Sequence, residues 1–208
     1  MKVKVCGMRE AQNIAEVAEL LPDYMGFIFY AGSPRFAGTL APESLNILAP
    51  ETKRVGVFVN AQEDYMLETI EKYGLDLVQL HGAESPGLCA ALRKNTGVIK
   101  AFGIGGKEDF EPVKQYEGYC DYYIFDTKTP VYGGAGHPFD HRLLKAYAGE
   151  TPYLLSGGLA LEDAKALASF KEDRCIGFDI NSRFETAPGR KDPLQIKLFM
   201  NTIKNLRI

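Results

Sequence analysis

Short unbroken apolar runs alternate along this chain with stretches in which apolar residues recur every three or four positions. Runs at Lys2–Cys6, Met25–Phe29, Arg54–Val59, Asp76–His81, Val98–Gly103, Asp121–Asp126, Tyr153–Ser156 and Ile176–Ile180 read as strands. Most are continuous rather than alternating, the pattern of parallel strands covered on both faces. Between them, Ile14, Val17, Ala18 and Leu21 follow the spacing of one buried helical face, and Leu161, Ala164, Leu167 and Ala168 repeat it. The last helix carries its own start signal, Asp192 as N-cap and Pro193 at the first helical position. Ile196, Phe199, Met200 and Ile203 then form its apolar stripe.

The pattern counts to eight strands and eight helices, which predicts an α/β fold, a (β/α)8 TIM barrel formed as a single domain over residues 1–208. The rival is a doubly wound open sheet, which usually has fewer strands and often a Gly-x-Gly-x-x-Gly turn after the first. Here Gly7 is followed by Met8-Arg9-Glu10, so that turn is missing. No linker or low-complexity tract divides the chain.

Composition narrows the class. With 46% hydrophobic residues, 25% charged residues and a net charge of −3, nothing indicates a basic nucleic-acid surface. An acidic balance still permits an anionic ligand, because a few local donors hold one phosphate. No apolar stretch approaches the roughly 18 residues that span a bilayer, and no signal-peptide pattern opens the chain. Cys6, Cys89, Cys120 and Cys175 are far apart and share no metal or disulfide motif, which suits a reducing cytoplasm. His137 and His141 stand four apart, but Pro138 interrupts them and no third ligand is evident, so no metal or other cofactor is expected. There is no Walker A sequence and no Gly-x-Ser-x-Gly elbow.

In a barrel the strand C-termini and the loops after them form the active face, so each polar residue at a strand end is a candidate. Cys6 ends the first strand, and Lys4, two residues earlier, projects from the same face and would favour the thiolate. The alternative is a small cysteine buried in the core. Asp126 ends an otherwise apolar strand, as a functional carboxylate or as a loop cap and partner of Lys128. A thiol and a carboxylate on separate strands suit a base and an acid facing one site. Gly133-Gly134-Ala135-Gly136 follows as a lid, a backbone cradle or an ordinary turn. Ser156-Gly157-Gly158-Leu159 and Asp179-Ile180-Asn181-Ser182 end the seventh and eighth strands, where such barrels usually hold phosphate. Arg35, after a Ser33-Pro34 turn, is able to clamp a carboxylate or to stand alone at the surface. Gln79 and His81 share one strand face, to touch substrate or to fill the barrel.

Taken in order, these motifs resemble the phosphoribosylanthranilate isomerase family along the whole chain. Lys4-Val5-Cys6-Gly7 is similar to the family's opening Lys-Ile-Cys-Gly. Gly26-Phe27-Ile28-Phe29 with Ser33-Pro34-Arg35, Val55 to Asn60, and Val78-Gln79-Leu80-His81-Gly82 match its second, third and fourth strand blocks. Asp126 with Gly133-Gly134-Ala135-Gly136 and Phe139-Asp140, Ser156 to Leu159, and Pro188 to Asp192 match the remainder. The resemblance implies an Amadori rearrangement of a phosphoribosyl substrate, with Asp126 as general acid, Cys6 as general base and no cofactor. It implies that Arg35 holds the anthranilate carboxylate and that Gly157, Gly158, Asn181 and Ser182 hold the phosphate. Asp179 belongs to the same phosphate-end group, and Lys4, Gln79, His81, Gly133, Gly134 and Gly136 to the substrate-facing set. Two positions depart from the pattern: Arg183 stands where the family usually has glycine, and Met8-Arg9 where Ile-Thr is more typical. A related histidine-pathway isomerase is disfavoured because aspartate typically stands there in place of Cys6. A non-catalytic phosphosugar-binding barrel would need the phosphate loops but not both Cys6 and Asp126. Expected partners are one small phosphorylated molecule, no nucleic acid and no membrane, with a monomer favoured over a dimer.

Overall fold

The computed structural model describes residues 1–128 and 140–205. Eight parallel strands close into a barrel in sequence order: β1 (Lys2–Cys6), β2 (Tyr24–Ile28), β3 (Lys53–Phe58), β4 (Leu77–Leu80), β5 (Gly97–Ile104), β6 (Tyr122–Thr127), β7 (Tyr153–Leu155) and β8 (Cys175–Ile180). β8 pairs back onto β1, with Lys4 opposite Asp179, so the sheet has no edge. All eight expected strands are present, with ends shifted by one residue or so, where hydrogen bonding rather than side-chain pattern sets the limit.

The helical layer is thinner than the pattern suggested. Among the described residues the α-helices are α1 (Ala11–Ala18), α2 (Glu63–Tyr73), α3 (Pro86–Leu92), α4 (Ala164–Ala168) and α5 (Pro193–Asn205). The crossovers after β2, β5 and β6 are covered by 3₁₀ turns at Pro42–Ile47, Lys107–Phe110 with Pro112–Tyr116, and His141–Ala146. In the second of these, Pro112 lacks the N–H that an unbroken helix would need. Leu21 does not extend the buried stripe of α1: the helix stops at Ala18, and Leu21 takes a φ of +52° in the following turn and is exposed. The final helix follows its sequence signal. Asp192 accepts from the backbone N–H groups of Leu194 and Gln195, at 3.0 and 3.2 Å, while Ile196, Phe199, Met200 and Ile203 are buried. Burying each of those side chains is worth about 1.5–3 kcal/mol.

Strand alternation sorts the interior into two zones. Val3 and Val5 face the helical layer, whereas Lys4 and Cys6 face into the barrel, where each is also buried. The lower barrel is filled by Tyr24, Val55, Leu77, Ile99, Ala101, Ile124 and Leu154. One step up the same strands the interior positions become Gly26, Val57, Gln79 and Asp126. An apolar floor therefore carries a polar ceiling at the C-terminal ends of the strands. Among the described residues no helix is long and apolar enough to cross a membrane.

Candidate active site

The polar ceiling lines a cavity of about 120 Å³ that gathers Cys6, Arg35, Gln79, His81, Asp126, Gly157, Gly158, Asp179, Asn181, Ser182 and Arg183 from six strand ends. Lys4 lies beneath it, completely buried, and donates from Nζ to Asp179 Oδ1 at 2.9 Å. Gly133, Gly134 and Gly136, with His137, lie outside the described residues.

Cys6 is buried with Lys4 beside it, which requires a gap in the neighbouring strand. Gly26 provides it: a Cβ there would lie 2.9 Å from Cys6 Sγ and 3.2 Å from Lys4 Nζ. The expected activation of the thiol is outweighed. Burial pushes Cys6 above the ordinary thiol value, and the Lys4 ammonium recovers only part of that rise. Lys4 itself is held in its charged form, because the Asp179 carboxylate and the Cys6 sulfur overcome the effect of its burial.

Asp126 sits opposite, at the end of β6. Burial, then the Asp179 carboxylate, push it up to about 6, against a 2.8 Å hydrogen bond from the Thr127 backbone N–H. Lys128 is not its partner; that ammonium pairs with Asp109. Gly157 lets the end of β7 approach the carboxyl group. It has a φ of +98°, and a Cβ there would fall 2.2 Å from Thr127 Oγ1 and 3.0 Å from Asp126 Oδ1.

His81 places Nε2 3.8 Å from Asp126 Oδ2, while its Nδ1 lies 3.0 Å from Gln79 Nε2. Burial first, then the charges of Lys100 and Lys4, lower His81 to about 4, so the ring is neutral at pH 7. With Nδ1 accepting from Gln79, the proton belongs on Nε2, facing Asp126. Gln79 Oε1 is buried without a hydrogen-bond partner among the described residues.

Several residues that shape the site were not selected from the sequence. Lys100, on the outer face of β5, donates to the carbonyls of Leu80, Gly82 and Ala101 and pairs with Glu84 at 3.3 Å. It ties down the end of β4 beneath His81. A lone lysine inside an apolar strand was the available signal. Lys191 and Glu185 are buried together beside Arg35, contributed by the hairpin of β9 (Glu185–Ala187) and β10 (Arg190–Lys191). Lys191 falls in the Pro188 to Asp192 block of the family resemblance, but nothing local couples it to Glu185, six positions earlier, until the hairpin sets the two opposite each other.

The family model for N-(5'-phosphoribosyl)anthranilate (PRA) isomerase matches residues 3–202. The chain belongs to the phosphoribosylanthranilate isomerase family. A member from Parabacteroides distasonis, N-(5'-phosphoribosyl)anthranilate isomerase, is 49% identical over 208 residues, covering 98% of this chain and 93% of its own length. The phosphoribosyl anthranilate isomerase of Thermus thermophilus superposes with a TM-score of 0.87 at 28% identity, each chain covered in full. Another solved isomerase, in complex with reduced 1-(o-carboxyphenylamino)-1-deoxyribulose 5-phosphate, superposes with a TM-score of 0.83 at 31% identity over 99% of both chains. In this isomerase the cavity at the C-terminal face is therefore the place to look for catalysis, as in other TIM barrels. Among the described residues no cluster of three or more metal-binding side chains is present.

Proposed function

We propose that this isomerase converts N-(5-phosphoribosyl)anthranilate to 1-(2-carboxyphenylamino)-1-deoxyribulose 5-phosphate, the Amadori step of tryptophan biosynthesis, with Asp126 as acid and Cys6 as base. The observation that carries the reading is that a carboxyl group raised to about 6 and a thiol beside an ammonium line one cavity from separate strands.

Asp126 protonates the ribose ring oxygen. At pH 7 a group with a pKa of about 6 is about one tenth protonated, enough for a working acid. The C1′–O bond breaks and the nitrogen lone pair closes a C=N bond, leaving an iminium. Its positive charge acidifies the C2′–H and, beside the buried sulfur, favours the thiolate. Cys6 takes that proton to give an enolamine. Protonation at C1′ with loss of the C2′ hydroxyl proton gives the ketone, so the net reaction neither gains nor loses a proton.

The neighbours support these steps. The neutral His81 Nε2–H stabilises the Asp126 carboxylate once its proton has left, without the cost of a second buried charge. Gln79 offers its unpaired Oε1 to a ribose hydroxyl. Arg35 receives the anthranilate carboxylate. Gly157 and Gly158, both at positive φ, present backbone N–H groups toward the phosphate together with Asn181 and Ser182.

The test is loss of substrate fluorescence with enzymatically generated N-(5-phosphoribosyl)anthranilate. Wild type turns over, and Cys6→Ala and Asp126→Asn, each shown to be folded, fall by roughly 10²-fold or more. No wild-type turnover overturns the activity. Turnover surviving in Cys6→Ala keeps the activity and removes the base assignment.

A further inference from the structure

The β9–β10 hairpin brings Glu185 and Lys191 under the loops that follow β1 and β2. Arg35 donates three hydrogen bonds to Glu185: Nε to Oε1 at 2.9 Å and to Oε2 at 3.1 Å, and Nη2 to Oε2 at 2.7 Å. Lys191, completely buried, donates to the same carboxylate and to Asn181 Oδ1, the latter at 2.7 Å. The Gly189 N–H adds a 3.2 Å bond to Glu185 Oε1. The Glu185 side chain is 4% exposed and that of Arg35 only 14%. Gly7 closes the cluster from above: a Cβ there would lie 2.7 Å from Arg35 Cδ and 2.8 Å from Asn181 Oδ1.

Two features of this cluster point toward a ligand. First, two largely buried basic groups share a single carboxylate; burial lowers Lys191 and Glu185 works against that, and with both groups protonated the cluster carries one unbalanced positive charge. Burial works to raise Glu185, yet Arg35 and Lys191 outweigh it and hold the group ionised below the ordinary carboxylate range. Second, the bonds to Glu185 occupy Nε and Nη2 of Arg35, while Nη1 makes no hydrogen bond among the described residues and Arg35 lines the cavity. A guanidinium gripped along one edge has lost its rotational freedom and keeps its other edge, Nη1 with the second Nη2 hydrogen, for another planar anion.

We propose that Glu185, backed by Lys191, is a positioning residue that fixes the Arg35 guanidinium plane for the aromatic carboxylate of the substrate, and that this carboxylate supplies the negative charge the buried cluster lacks. The inference rests on the reading of Arg35 as the carboxylate anchor. It adds that anchoring depends on a residue that does not itself touch the substrate. The aromatic carboxylate that Arg35 would hold is neither made nor broken in the reaction and carries the same charge in substrate and transition state, so loss of Glu185 falls on KM more than on kcat.

The experiment compares kcat/KM for two substrates, the phosphoribosylamines of anthranilate and of aniline, which differ only in the carboxylate. Their ratio reports carboxylate recognition and cancels general losses of activity. In wild type the ratio stands roughly 10²-fold in favour of the anthranilate compound, and Arg35→Met brings it close to one. Glu185→Gln lowers the ratio roughly 10-fold or more, with the change in KM. The double variant Glu185→Gln with Lys191→Met restores the charge count but not the grip on Arg35, so the low ratio persists. If Glu185→Gln fails to fold cooperatively, Glu185→Asp, which keeps the charge but retracts it by one methylene, is expected to lower the ratio in the same direction.

An unchanged ratio in folded Glu185→Gln or Glu185→Asp, with Arg35→Met still collapsing it, overturns the positioning role alone. Recovery of the ratio in the double variant overturns it in favour of simple charge balance. A ratio indifferent to Arg35→Met removes the anchor reading, and the inference with it.

Discussion

Lys4 Nζ stands 2.9 Å from Asp179 Oδ1, with the Cys6 thiol beside the same ammonium. Since Lys4 and Asp179 are opposite one another where β1 meets β8, the strand pairing that closes the barrel also assembles this ion pair. Loss of Lys4 leaves Asp179 as an unpaired charge inside the barrel. Lys4→Met is expected to cost about 3–5 kcal/mol in urea unfolding, and Lys4→Met with Asp179→Leu to recover most of that stability. The double variant is expected to recover stability without full activity, because Cys6, the proposed base, loses its neighbouring cation, and removing the Asp179 carboxylate offsets only part of that loss. A single variant as stable as wild type would contradict the pairing.

The pH profile follows from an acid and a base in reversed order. The proposed acid, Asp126, titrates near 6, and the proposed base, Cys6, above the ordinary thiol value. Below 6, Asp126 is protonated and the thiolate fraction rises tenfold per pH unit. Above 6, loss of the acid offsets that rise until the thiol titrates. The profile of kcat/KM is thus expected to climb to about pH 6 and then stay level to beyond pH 8. A limb near pH 8 in place of a plateau would remove the assignment.

Asp126 also costs stability. Its folded pKa, about 6, lies above the ordinary 3.8, so the folded state prefers the protonated form. That preference is harmless below pH 4 and becomes a penalty as the pH rises through 6. Asp126→Asn is expected to exceed wild type by about 1–3 kcal/mol at pH 8 and to match it near pH 4. Equal stability at both pH values would show that the carboxylate is not held in a desolvated site.

His81 makes a separate claim on the pH axis. With its pKa lowered to about 4, it binds no proton between pH 5 and 8, and the limb near 6 does not belong to it. Imidazole resonances of His81 should stay at their neutral positions down to pH 5, with the proton on Nε2. Titration near 6.5 would mean that burial and Lys100 do not act on the ring as described. The same shift makes protonation of His81 a source of instability as the pH falls from 6.5 to 4.

Gly157→Ala tests the close approach of β7 to the proposed acid. The new Cβ meets Thr127 backbone nitrogen at 2.7 Å as well as the Thr127 hydroxyl, at a φ that L-residues rarely adopt. The expected cost is about 1–3 kcal/mol in stability, with kcat reduced because Asp126 is displaced. A variant with wild-type kcat would separate this glycine from the acid.

The sequence by itself determined the barrel, because most of its strands are continuous apolar runs and the eight runs occur at the right spacing for crossovers. It also marked Cys6, Asp126, the Gly157-Gly158 turn after β7 and the Asn181-Ser182 turn after β8, since polar or flexible residues at the ends of apolar strands break the pattern locally. Periodicity could not show that Leu21 escapes the stripe of α1 or that 3₁₀ turns cover three crossovers, because both depend on where the backbone stops hydrogen bonding. Nor could it show the balance of charges. The Lys4 and Cys6 spacing suggested a lowered thiol pKa, but burial decides the net shift, and burial is a property of the closed barrel. Arg35, Glu185 and Lys191 are separated by up to 156 positions and share no motif. Only the folding of the β8 loop back over the barrel mouth makes them one cluster, because electrostatic coupling depends on distance in space and on the exclusion of water.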